Sequence, residues 1–127
     1  AAAAPAGWEC PASYPGGGFP STVNGHAFIG YHGSWNRDPP TGYKVVRVPM
    51  TSEGQPVVSS GSSSGSTAAA AEPEQPIDLM RHQGSSAAWA SGLRPVDVRF
   101  DRCGRLLVSD DGAGYIVMIT AAVAAPG

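Results

Sequence analysis

Short apolar runs separated by turn-forming residues dominate the chain, and helical periodicity is scarce. Residues 26–31 combine aromatic and branched side chains and predict a strand, ended by the loop of residues 33–42. A clearer strand follows at 43–48, where Tyr43, Val45 and Arg47 face one way and Lys44, Val46 and Val48 the other. Pro49 stops it, because proline has no N–H to give a ladder. Three further runs, 95–100, 106–110 and 115–120, are separated by Asp101-Arg102-Cys103-Gly104 and Asp111-Gly112-Ala113-Gly114. Both separators are turn sequences, so the segment predicts an antiparallel three-stranded meander. Val96, Val98 and Phe100 alternate with Asp97 and Arg99, as in a half-buried strand, whereas Leu106-Leu107-Val108 is apolar throughout and fits a strand covered on both faces.

Between the two strand groups the character changes. Residues 59–76 run from nearly pure Ser and Gly through Ala68–Ala71 to a Pro-rich end, a composition too poor in apolar area to offset its ordering entropy. This stretch predicts a flexible surface insertion. A weak strand resumes at 77–80. Residues 1–25, rich in Ala, Pro and Gly, read as an extended arm with Trp8, Tyr14 and Phe19 as anchors. The domain reading is therefore an arm at 1–25 and a β region at 26–127. That region holds one strand group at 26–58 with 77–83, the insertion, and a second group at 92–120. Each group, without the insertion, matches the period of a propeller blade, with a small β-sandwich as the competing architecture.

Composition narrows the function classes. Gly (17) and Pro (12) are high and charged residues make up only 14%, which suits short strands and loops. The net charge is −2 and the seven arginines and single Lys44 are scattered, so no basic stripe supports a nucleic-acid or anionic-membrane partner. No apolar run reaches the roughly 18 residues of a transmembrane segment. Cys10 and Cys103 form no CxxC pattern. They fit a single disulfide in a secreted protein, or two thiols in a cytosolic one. The chain starts Ala1-Ala2-Ala3-Ala4 without Met, as expected of a processed chain, an excised piece or an incompletely identified one.

The most specific feature is the stretch 28–46, containing His32-Gly33-Ser34-Trp35-Asn36-Arg37-Asp38-Pro39-Pro40-Thr41-Gly42-Tyr43. Gly92-Leu93-Arg94-Pro95-Val96-Asp97-Val98 and Gly104-Arg105-Leu106-Leu107-Val108-Ser109-Asp110-Asp111 follow in order. Together with Phe19-Pro20-Ser21 and residues 25–28, these motifs resemble the C-terminal portion of the glucose/sorbosone dehydrogenase family, in its sorbosone and pyranose dehydrogenase branch. The resemblance implies an all-β chain forming about the last two antiparallel blades of a six-bladed β-propeller. It implies a quinoprotein that binds pyrroloquinoline quinone (PQQ) with calcium and oxidises the anomeric or aldehyde carbon of a sugar. Electrons then pass to an external acceptor. Missing blades, or another chain, become the expected partner, the isolated chain is expected to be inactive, and the setting is expected to be secreted, extracellular or periplasmic. The alternative is a non-catalytic module derived from such an enzyme, serving as a binding or structural component.

The resemblance places His32 and Arg94 at the cofactor pocket, and the chemistry of the residues agrees. A guanidinium grips a quinone carboxylate through two parallel charge-assisted hydrogen bonds, which suits Arg94 and Arg37. His32 can donate to a quinone oxygen or accept a substrate proton, although no catalytic base is assignable in the chain. Trp35 can stack on a planar ring or a sugar face. Each also has a plain structural role: Arg37 paired to Asp38, His32 as a satisfied structural histidine, Arg94 paired to Asp97, Trp35 as packing. Asp110 and Asp111 offer hard oxygen ligands for calcium, but adjacent carboxylates at a strand end more often shape a turn. His26 and His82 belong to no constellation and read as surface residues.

Overall fold

The computed structural model describes residue 10 and residues 17–59, 72–83 and 92–122. Trp8, Tyr14 and most of the Ser/Ala-rich insertion lie outside the described residues. The described chain is all-β: β1 (Ala27–Tyr31), β2 (Lys44–Val48), β3 (Val58–Ser59), β4 (Glu72–Pro73), β5 (Ile77–Arg81), β6 (Pro95–Phe100), β7 (Leu106–Asp110) and β8 (Tyr115–Ile119). One 3-10 turn, Ser21–Val23, precedes them, inside what the composition predicts as an extended arm.

Two three-stranded antiparallel sheets form, in the orders β1-β2-β5 and β6-β7-β8. The second is the predicted meander, with Val98 opposite Val108 and Val108 opposite Val117. Between β2 and β5 the flanks of the insertion pair as the small hairpin β3–β4, which the low-complexity reading does not foresee. Two-residue strands carry no hydrophobic period, so nothing in the sequence marks them.

The sheets meet through Val45 of β2 and Leu106 and Val108 of β7, each with no exposed surface. Phe28, Leu79, Met80, Val98, Val117 and Ile119 close around them. Complete burial of such side chains stabilises by roughly 1.5–3 kcal/mol each. Leu107 lies on the opposite face of β7 and is only half-buried, so the middle strand is fully covered on one face, not both. β1 and β6 are the adjacent strands of the two sheets. They approach closely because β1 carries Gly30, where a Cβ would stand 3.3 Å from the Pro95 Cβ.

The N-terminal arm is tied to the second sheet. Cys10 and Cys103 form a disulfide with a Cα separation of 5.6 Å. Gly17 bridges Ala121 beyond β8, and the Phe19 N–H donates to the Gly104 carbonyl at 2.7 Å. Phe19 then packs edge-on against Phe28 and Phe100, with centroids 5.5 and 5.7 Å away, as the sequence reading of an anchor expects. His26 is half-buried instead of lying free on the surface: Arg47 donates to its Nδ1 at 2.8 Å.

The β6–β7 turn is organised by Asp101. One carboxylate oxygen accepts the N–H groups of Cys103 (2.8 Å) and Arg105 (2.9 Å), and the other accepts Arg105 Nε (2.6 Å). Burial pushes the Asp101 carboxyl up, but the hydrogen bonds from Arg105 and Cys103 and the Arg105 charge outweigh it and hold the group below its ordinary value. A carboxyl lowered by folding contributes stability above its unfolded pKa and loses it as pH falls through the folded one. Asp101→Asn is therefore expected to cost about 1–3 kcal/mol at neutral pH, and less as the pH falls below the ordinary carboxyl range and the native group begins to take up its proton. Thermal unfolding of both proteins over a series from neutral to acid pH checks this; a loss that does not shrink as the pH falls contradicts it.

Candidate functional site

Strand pairing brings three loops to one end of the paired sheets. Tyr31 ends β1 opposite Lys44, and Asp110 ends β7 opposite both Pro95 and Tyr115. Residues 32–43, 92–94 and 111–114 consequently share that end.

The first loop has a clamped base. The Ser34 N–H donates to the Thr41 carbonyl at 2.9 Å and the Thr41 N–H donates to Ser34 Oγ at 3.0 Å. The Tyr43 hydroxyl donates to the Ser34 carbonyl. Tyr43 is buried with φ 56° and so belongs to the loop, one residue short of the strand the alternation predicts. Its ring lies flat against Gly33, which has φ 108° and no room for a Cβ against the ring. Gly33→Ala is expected to cost about 2 kcal/mol or more through left-handed strain and overpacking. A change below about 0.5 kcal/mol in denaturant unfolding would contradict this packing.

Arg94 extends over the Tyr43 ring, its guanidinium carbon 5.8 Å from the ring centroid. There it meets His32. Arg94 Nη2 lies 3.1 Å from His32 Nδ1, while His32 Nε2 lies 3.0 and 3.1 Å from the two oxygens of Asp111. Arg94 Nε also approaches His32 Nε2, at 3.4 Å, but the shorter Asp111 contacts favour an Nε2–H that donates to Asp111, with an Nδ1 lone pair that accepts from Arg94 Nη2. Asp111 Oδ1 also stands 3.6 Å from Arg94 Nε. The structure thus joins two of the predicted residues, His32 and Arg94, and adds Asp111, which the sequence offers only as a turn former or calcium ligand.

Trp35 and Arg37 lie exposed in the same loop, the indole 88% exposed, and Arg37 pairs with no described carboxylate. Arg94 pairs with Asp111 and not with Asp97. Asp110 and Asp111 do not converge as cation ligands. Asp110 is 5% exposed, and its oxygens accept the Arg94 N–H at 2.6 Å and the Ala113 N–H at 2.8 Å. Among the described residues no three His, Cys, Asp or Glu side chains come together to hold a metal ion. His82 is half-buried, its N–H donating to the Tyr43 carbonyl at 3.0 Å. No described helix is long and apolar enough to cross a membrane.

The model of the family described as TrAA12-like matches residues 13–122. The chain belongs to the TrAA12-like family. The iodide structure of a Trichoderma reesei protein of carbohydrate-active enzymes family AA12 is similar to it, at 26% identity and a TM-score of 0.59. That alignment covers 77% of this chain and 22% of the other, so the TrAA12-like chain spans about a fifth of its structural relative. No curated protein matches the sequence.

These findings correct the family resemblance drawn from the motifs. They support the TrAA12-like family and give the glucose/sorbosone dehydrogenase family no support. The quoted motifs include residues that the backbone demands: the positive-φ glycines 33, 42 and 104, and the proline that opens β6. Such positions report how a strand enters or leaves a turn, and that geometry does not separate one family from another.

Proposed function

We propose that this TrAA12-like chain forms part of a quinone-dependent oxidoreductase acting on carbohydrate, and that the His32–Arg94 end of its sheets receives a carboxylate of PQQ. The observation that carries this reading is the Arg94 side chain, 22% exposed, its guanidinium over the Tyr43 ring and linked to His32. A planar cation held in this way is pre-organised for a carboxylate, and the quinone has three. When bound, the quinone supplies the two-electron acceptor for oxidation of a sugar carbon, and an external acceptor regenerates it.

The chain's own residues then have defined tasks. Arg94 binds and orients one carboxylate, and Arg37 supplies a second guanidinium from the neighbouring loop. His32 has both nitrogens engaged, so its task is to hold Arg94 and Asp111 in register, with Nδ1 becoming available when Arg94 turns to a ligand. Trp35 offers an open indole face to a planar ring or a sugar. Calcium is a poorer fit to the described residues, since Asp110 already satisfies two backbone N–H groups.

On this reading the two sheets are the last two blades of a six-bladed propeller, and the partner is the remainder of the ring. The 22% coverage of the AA12 structure supports a match to only part of a larger fold, and Val96, Ile116 and Met118, exposed on the second sheet at 57%, 71% and 37%, offer apolar surface to a neighbour. The Cys10–Cys103 bridge supports an oxidising, extracellular or periplasmic setting.

The test is sugar-dependent dye reduction by the chain assembled with the remainder of the ring, after addition of PQQ and calcium, compared with the same assembly carrying Arg94→Gln. Activity in the first and at least a tenfold loss in the second are expected. Failure of the native assembly to bind the quinone or oxidise any sugar would leave only a non-catalytic carbohydrate-related module.

A further inference from the structure

Asp110 and Asp111 are consecutive in sequence and opposite in circumstance. Asp110 is buried, with one oxygen accepting the Arg94 N–H and the other the Ala113 N–H. It ties the start of β6 to the turn after β7, and so fixes where the Arg94 backbone sits. The Asp111 side chain is 58% exposed. Both its oxygens crowd one nitrogen, His32 Nε2, at 3.0 and 3.1 Å. The nearest guanidinium nitrogen, Arg94 Nε, is 3.6 Å from Oδ1, beyond hydrogen-bond distance.

A carboxylate placed between an imidazole N–H and the edge of a guanidinium stands where a ligand's carboxylate would bind, yet it makes no bidentate contact. Its hold is weak, since an ion pair this exposed contributes about 0–1 kcal/mol. Its departure disturbs little: it sits on the turn Asp111-Gly112-Ala113-Gly114, while Asp110 keeps Arg94 anchored. An incoming carboxylate that grips the guanidinium through two parallel bonds would be the better-matched anion, and two carboxylates cannot share the position without repulsion.

The geometry points to Asp111 as an internal carboxylate that occupies the anion position of Arg94 and His32 and is exchanged for the carboxylate of a ligand. Asp111 thereby determines specificity: it sets the threshold an anion must exceed to enter, favouring bidentate and polycarboxylate ligands over simple monoanions. This rests on the reading that the His32–Arg94 pair receives a carboxylate, and it adds which group must leave.

The experiment uses sodium oxalate as the probe and the intact protein, with the Arg94 Nε–H resonance, assigned through Arg94→Gln, as the readout. Oxalate is expected to shift this resonance saturably. Asp111→Asn, which removes the competing charge at an exposed position, is expected to lower the half-saturating oxalate concentration by about five- to tenfold. Asp111→Ser is expected to act in the same direction, so that a folding defect in one variant does not decide the outcome. Unchanged or weaker oxalate binding in both variants would overturn the exchange, and so would the absence of any oxalate response in all proteins. If oxalate behaves as expected while PQQ fails to bind, the quinone reading falls and the exchange stands.

Discussion

Replacing Cys103 with serine is expected to lower the unfolding free energy by about 4 kcal/mol, the largest single effect in this chain. The bridge to Cys10 spans a sequence separation of 93, so it removes a very large loop from the denatured ensemble. It also secures the arm whose later residues form the Phe19–Gly104 and Gly17–Ala121 contacts and bring the Phe19 ring onto Phe28 and Phe100. Without the bridge, these are the contacts among the described residues that remain to keep the arm on the second sheet, with Gly18 against Cys103. Urea unfolding of the native and Cys103→Ser proteins, with and without reductant, measures the effect. The variant and the reduced native protein should coincide, and a difference from the oxidised protein below about 1 kcal/mol would show that the bridge constrains nothing that matters.

The second large effect is on binding. If Arg94 receives a quinone carboxylate as proposed, Arg94→Gln is expected to weaken PQQ binding by about 100-fold, because hydrogen bonds to a charged partner contribute about 1.5–3 kcal/mol and the variant would remove a matched pair of them. Arg94→Lys should recover only a small part of this. An ammonium keeps the charge, but it has neither the planar fork that a carboxylate matches nor the flat face that lies over Tyr43. Equilibrium binding followed by quinone absorbance separates the cases: full rescue by lysine would mean that charge alone suffices and the geometry is incidental. Folding is a separate matter, since Arg94 is held through its backbone by Asp110, a contact that both substitutions keep.

Much of the fold is legible in the sequence because it depends on local signals. Asp101–Gly104 and Asp111–Gly114 are turn sequences, and the strands between and beside them alternate as paired strands must, so β6, β7 and β8 fall within a residue of their expected bounds. The β3–β4 hairpin lies at the border of a Ser- and Ala-rich tract, where strands of two residues have too few positions to show alternation. Tyr43 belongs by composition to β2, but its hydroxyl is drawn to the Ser34 carbonyl and its ring to the space left by Gly33, which moves it into the loop.

The candidate site is legible in its members but not in its wiring. His32 and Arg94 stand out as residues able to serve an anionic cofactor, and they do meet. Their common partner Asp111 lies 79 residues from His32, and only the packing of β1 beside β6, itself paired with β7, brings the two together. Nothing local distinguishes Asp111 from Asp110, whose carboxylate turns inward to satisfy backbone N–H groups. Burial, which the sequence does not state, separates a structural carboxylate from an exchangeable one.

A crystal structure of the protein grown with PQQ should show a quinone carboxylate paired with the Arg94 guanidinium beside His32, with the Asp111 side chain turned away. A quinone bound elsewhere, with the Arg94–His32–Asp111 contacts unchanged, would contradict that placement.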